Sequence, residues 1–120
     1  MSCANANAAN IPATASNPAN YVNSTTQAAA GVLVTSGAIA TDTIEARLTS
    51  AGVPAYGTAL GPSPTTVPVN ASALADTAVG GLQVAARRID EAGNASGWFV
   101  GTAATKDVVA PANPDVTRIN

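Results

Sequence analysis

Asp90, Glu91 and Asn94 fall within the eight residues "IDEAGNAS" (89–96), a dense group of oxygen donors in a chain with only 10% charged residues. With Asp107 downstream, Asp90 and Asn94 are the candidate ligands for calcium, which takes about six to eight oxygens, several of them carboxylates. No Asp-x-Asp-x-Asp run accompanies them. The favoured role of Asp90, Asn94 and Asp107 is therefore in structural turns, with a calcium site as the alternative and no other cofactor expected. General acid–base hydrolysis by Asp90 and Glu91 is disfavoured, because neighbours on an extended chain point to opposite faces and do not converge on one bond. Asp42 and Asp76 are the other carboxylates considered, and no spacing ties them to the pair. Histidine is absent, which removes the commonest general base and the commonest metal ligand together. The single cysteine, Cys3, permits no intrachain disulfide or thiolate cluster. A bystander thiol is the favoured reading of Cys3, and a link between two copies the alternative. The expectation is a protein that is not an enzyme.

Binding chemistry is similarly restricted. The aromatic residues are Tyr21, Tyr56, Trp98 and Phe99. Trp98 and Phe99 are adjacent, so one is expected in the core and the other on the outer surface; Trp98 is assigned to the core. An exposed sugar-stacking role for Trp98 or Tyr56 is the alternative. The net charge of −2 leaves no electrostatic footprint for nucleic acid, and Arg87-Arg88 is read as strand decoration. No stretch approaches the ~20 apolar residues of a membrane-spanning helix.

The elements that must position these groups are extended. "DTIEARLTS" places Ile44, Ala46 and Leu48 on one face and Thr43, Glu45, Arg47 and Thr49 on the other, the period of a half-buried strand. "GVLVTSG" is a central strand ended by Gly37. In "TTVPVN", Val67 and Val69 alternate around Pro68, which cannot donate a ladder hydrogen bond, so this strand belongs at an edge. "GLQVAARRID" alternates Leu82, Val84 and Ala86, and "GWFVGTAATKD" follows as the last strand. Weaker strands are expected near 20–24 and 54–59. "NASALADTAV" is too short and too poorly supported to stand as a helix, so it reads as one turn between strands. The "IDEAGNAS" turn needs no ligand: Asp90 accepts backbone N–H groups, while Gly93 and Asn94 tolerate left-handed backbone. About seven short strands at roughly ten-residue spacing predict an antiparallel sandwich. Residues 1–19, without periodicity, are expected to be an extended arm, residues 20–110 the domain, and 111–120 an extended tail.

Three motifs carry a resemblance. "VNASALAD", "LQVAARRIDEAGNAS" and "TKDVVAP" are similar to the repeated bacterial immunoglobulin-like modules of large surface adhesins, through Ser72–Asp76, Asp90–Asn94 and Lys106–Pro111. The likeness spans roughly residues 20–111 in order and spacing. It implies a seven-stranded immunoglobulin-like β-sandwich with no catalytic role, used as a spacer or adhesive unit. Arg88 departs from the pattern by standing where a small inward residue is usual, so that strand end is expected to be solvated or paired. Related domains also occur as accessory proteins on bacteriophage particles, which need no export segment, and "MSCANANAAN" lacks the basic start and apolar run of one. The expectation is thus a virion accessory protein, a capsid decoration or tail-associated component on the virion surface. Its partners would be capsid or tail subunits, held by terminal arms and edge strands, and a homo-oligomer is among the expected assemblies. The alternatives are one module of a secreted adhesin at a bacterial cell surface, or an ancillary carbohydrate-binding domain.

Overall fold

In the computed structural model, residues 7–15 and 17–109 are described. They form nine strands: β1 (Asn7–Asn10), β2 (Tyr21–Val22), β3 (Ala30–Ser36), β4 (Thr43–Ser50), β5 (Val53–Leu60), β6 (Thr65–Val69), β7 (Gln83–Ile89), β8 (Phe99–Val100) and β9 (Thr105–Lys106). The only helical element among the described residues is a 3-10 turn at Gln27–Ala29. Three strands pair in the order β1-β3-β6 and four in the order β5-β4-β7-β8. These pairings are antiparallel, whereas the short β2 runs parallel to β9. The protein is all-β and sandwich-like.

Alternation builds its core. Along β4 every second residue is buried, Ile44, Ala46 and Leu48 among them. Val84 and Ala86 lie opposite Leu48 and Ala46 on β7. Facing them from the other sheet are Ala30, Val32 and Val34 of β3 with Val67 and Val69 of β6, all in one buried cluster. Leu82, Leu74, Val22 and Ala104 complete that cluster. Fully burying side chains of this size contributes roughly 1.5–3 kcal/mol each before conformational entropy is counted. Val and Ala dominate, so the two sheets can approach closely. At Gly57 the approach is tightest: a Cβ there would run into the carbonyl oxygen of Pro68, so β5 lies directly over β6 and closes one corner. Pro68 sits on β6, at the edge of the three-stranded sheet, where its missing N–H costs no ladder bond.

Three local results differ from expectation. Part of the stretch read as an N-terminal arm is strand: Asn7, Ala8 and Asn10 pair with Ser36, Val34 and Leu33 through an irregular register. Just beyond, Ile11 is buried in the core. Asn20, at φ 61°, donates its N–H to the Ile11 carbonyl at 2.7 Å and turns the chain into β2. The expected last strand is broken into β8 and β9. Its register against β7 slips between the Ile89–Ala95 and Ala86–Phe99 pairs, and again before Leu82–Ala104. Residues 54–59, expected as a weak strand, lie inside the eight-residue β5. Residues 70–77 form turns and not a helix, as read from their length. The tail expected at 111–120 and the first six residues, with Cys3, lie outside the described residues.

Candidate functional site

The 89–96 turn is held by its own side chains. The Asp90 N–H donates to the Asn94 carbonyl at 2.9 Å, and the Gly93 N–H to the Asp90 carbonyl at 2.9 Å. One carboxylate oxygen of Asp90 accepts the Asn94 N–H at 2.8 Å and the other its side-chain amide at 3.1 Å. Gly93 takes φ 92°, the left-handed backbone that glycine adopts without a Cβ penalty. Asp107 is not part of this arrangement. It follows β9, where its N–H donates to the Val22 carbonyl at 3.0 Å and its carboxylate accepts the Val109 N–H at 3.1 Å. Leu82 pairs with Ala104 at one end of β7 and Ile89 with Ala95 at the other, so Asp107 and Asp90 stand at opposite ends of the sheet. That separation is roughly 20 Å at ~3.3 Å per residue. Asp90 and Asn94 are together; Asp107 cannot share an ion with them. Among the described residues no group of three or more His, Cys, Asp or Glu side chains is placed to hold a metal. Nor is any helix there long and apolar enough to cross a membrane.

Trp98 is not in the core. It lies on the outer face of the four-stranded sheet, with the guanidinium carbons of Arg47 and Arg87 at 4.4 and 4.6 Å from its ring centroid. The Tyr56 ring stands 6.1 Å away at 43°. The register accounts for the cluster. Arg47 lies between Tyr56 and Ala85, and Glu45 directly opposite Arg87. Arg87 Nε meets Glu45 Oε1 at 2.7 Å, and Arg47 donates to Gln83 Oε1 at 3.0 Å. Ala85 shares this outer face yet is fully buried, as a covering of long side chains would leave it. Trp98 and the arginines form that covering, and the indole ring is engaged by two cations. Phe99 lies opposite Ala86 on the inward face by register, but at the sheet edge it stays more than a third exposed.

Two inward charged arrangements, Arg88 with Asp42 and Lys106 with backbone carbonyls, escape sequence reasoning in different degrees. Arg88 is inward, opposite Ile44, and is paired. Its Nε lies 2.8 Å from Oδ2 of Asp42, whose side chain is fully buried, without an aligned hydrogen bond from that nitrogen. Its terminal nitrogens donate to Asp42 Oδ1 at 3.3 Å and to the Gly37 carbonyl at 3.0 Å. Asp42 Oδ2 also accepts the Ile39 N–H at 2.8 Å. The pair ties the end of β7 to the 37–42 loop. Lys106 is buried to 1% exposure. Its ammonium donates to the carbonyls of Ala71 at 2.7 Å, Ser72 at 3.5 Å and Leu74. Its backbone is bonded to Thr77 on both sides, N–H to hydroxyl at 3.0 Å and carbonyl from N–H at 2.8 Å. Lys106 thus fastens the 70–77 turns to the last strand. The available signal was an oddity: the only lysine in the chain sits between a Thr and an Asp in a strand.

A groove of about 330 Å³ opens between the 11–17 segment, the 3-10 turn and β3. Two of its polar lining residues are bonded internally: the Asn17 amide donates to the Pro18 and Tyr21 carbonyls, and Thr26 Oγ1 to Asn17 Oδ1 at 3.3 Å. No protein-family model, curated protein or solved structure matches the chain.

Proposed function

We propose that this is an immunoglobulin-like, non-catalytic domain that serves as a structural or adhesive surface protein, in first place as a bacteriophage virion accessory. The strand order supports the fold: β1-β3-β6 takes the positions of strands A, B and E, and β5-β4-β7-β8 those of C′, C, F and G. The parallel β2–β9 pair joins the first half of the chain to the last. The observation that carries the functional reading is how the charged groups are used. Arg88 and Asp42 pair in the sandwich end, Lys106 holds backbone carbonyls, and Arg87 is matched by Glu45. Side chains that would do chemistry elsewhere hold strands and turns here. What remains outside is a charge-poor Thr-, Ser-, Asn- and Ala-rich coat, with Asp76, Glu91 and Asp107 its exposed acids among the described residues and with free strand edges, suited to lying against neighbouring subunits.

A single module of a secreted bacterial adhesin is the second reading, favoured by the "TKDVVAP" exit, in which Lys106 locks the preceding turns. Immunogold labelling of intact particles and of whole cells separates the two. Gold on the particle shell or tail supports the virion accessory, gold on the cell surface alone supports the adhesin, and gold on neither removes both.

A further inference from the structure

β5 is the longest edge strand among the described residues, and Pro54 near its start is the one usual protection on its free edge. Sheet edges are normally blunted by charges, bulges or brevity, because their unpaired N–H and C=O groups recruit other strands. β5 reads Val-Pro-Ala-Tyr-Gly-Thr-Ala-Leu with no charged residue, and it pairs with β4 along its whole length without a bulge. By contrast β1 has four residues in a broken register, β8 has two, and β6 is covered by β5 at Gly57. Val53, Tyr56 and Leu60 are exposed on β5 at 54%, 53% and 76%.

The hairpin fixes which groups face outward. Ala51 at φ 50° and Gly52 at φ 79° make a two-residue turn closed by the Ser50–Val53 pair. The backbone groups of Val53, Ala55, Gly57 and Ala59 therefore point toward β4. The Gly61 N–H, bonded to the Asp42 carbonyl at 2.9 Å, continues the same parity. The N–H groups of Tyr56, Thr58 and Leu60 consequently point away from the sheet. Pro54, which has no N–H, lies at the far end of this row.

We propose that this edge docks a second copy of the chain, β5 against β5, antiparallel about a two-fold axis at Thr58. In that register Tyr56 and Leu60 of one protomer exchange both backbone hydrogen bonds with Leu60 and Tyr56 of its partner. Thr58 exchanges both with Thr58, so each outward N–H from 56 to 60 finds a carbonyl, and Pro54 is left outside the ladder. Directly opposed residues share a face, so the exposed Tyr56 and Leu60 side chains meet as cross-strand aromatic–aliphatic pairs, a stabilising combination. Shifting the axis to Gly57 would instead set Pro54 against Leu60 and leave Tyr56 facing Thr58. The absence of charge along β5 removes like-charge repulsion at a self-contact, and the exposed Tyr56 and Leu60, each two residues from Thr58, make the edge complementary to itself, which selects a second copy as the occupant. The contact is isologous and closes on itself. It does not rest on the virion reading and holds for the isolated chain.

The test is sedimentation equilibrium over a concentration series, with disulfide trapping. The wild-type chain is expected to dimerise with a Kd on the order of 10–100 μM, weak because a single strand pair lies at the small end of interface sizes. Thr58→Lys, which sets two ammonium groups against each other on an exposed edge, abolishes the dimer while leaving the thermal midpoint of the monomer unchanged. Thr58→Cys in a Cys3→Ser background forms a disulfide dimer under mild oxidation, since hydrogen-bonded antiparallel partners lie about 5.5 Å apart, within disulfide reach. The same thiol placed at Val79, in an exposed turn, does not. A wild-type chain monomeric at about 1 mM, a dimer that survives Thr58→Lys, or equal trapping from positions 58 and 79 would each overturn the proposal.

Discussion

Replacing Lys106 with Met tests the least expected feature of the fold. Methionine nearly matches the buried volume of lysine but has no donor. The three N–H groups of the ammonium serve the carbonyls of Ala71, Ser72 and Leu74. These acceptors belong to the backbone, so the substitution cannot remove them. A buried polar group left without a partner costs about 1–3 kcal/mol, and removing one side of a buried charged arrangement costs roughly 3–5 kcal/mol. The Ser72 contact is long at 3.5 Å and Ser72 is exposed, so water can replace it. Ala71 and Leu74 are buried and decide the magnitude. The expected loss is about 3–5 kcal/mol, seen in urea unfolding as a lower midpoint with an unchanged slope. A thermal midpoint lower by roughly 10–20 °C should accompany it. Amide exchange should quicken first at Leu74 and Thr77, whose turns the lysine holds. A loss below about 1 kcal/mol would refute the reasoning, because the carbonyls would then be satisfied without the ammonium.

Leu82→Ala removes a fully buried side chain at the β7–β9 junction and should cost about 2–5 kcal/mol in chemical denaturation; a loss under half of the lower bound would place that side chain outside the core. Asp42→Ala leaves Arg88 unpaired at the end of the sandwich and should cost roughly 3–5 kcal/mol, whereas Glu45→Gln at the more exposed Arg87 pair should cost about 1 kcal/mol or less. Gly57→Ala should lower the thermal midpoint, since the added carbon meets the Pro68 backbone and either β5 or β6 must shift. Millimolar calcium should leave the midpoint where a chelator leaves it, because Asp90 is engaged by Asn94 and Asp107 lies at the other end of the sheet; a calcium-dependent rise would show ligands assembled in some other way.

The parts of the fold legible in the sequence are those in which local pattern and burial coincide. Ile44, Ala46 and Leu48 alternate on the page and in the core, and the same holds for Val67 and Val69 around Pro68 and for Leu82, Val84 and Ala86. The turn at 90–94 is equally local, its conformation set by Asp90 and Gly93. What was not legible depends on partners distant in the chain. β1 has no strand signal of its own and forms because β3 offers an open edge; the one clue in its neighbourhood was Ile11, the sole branched apolar residue in the first twenty. Trp98 is assigned inward because one of two adjacent aromatics should face the core, yet Arg47 and Arg87 arrive from two other strands to cover it on the outside. Lys106 carries no local signal of burial and is buried because the 70–77 turns bring three carbonyls to it. In each case the outcome was decided by a partner distant in the chain, which alternation alone does not specify.

The most direct test of a virion-accessory role is the copy number of this chain in density-purified particles, measured by quantitative mass spectrometry against the major shell protein. A virion accessory gives a fixed ratio, the same in every fraction across the particle peak and resistant to washing. A chain that is missing from the particles, or whose ratio drifts across the peak, contradicts that role.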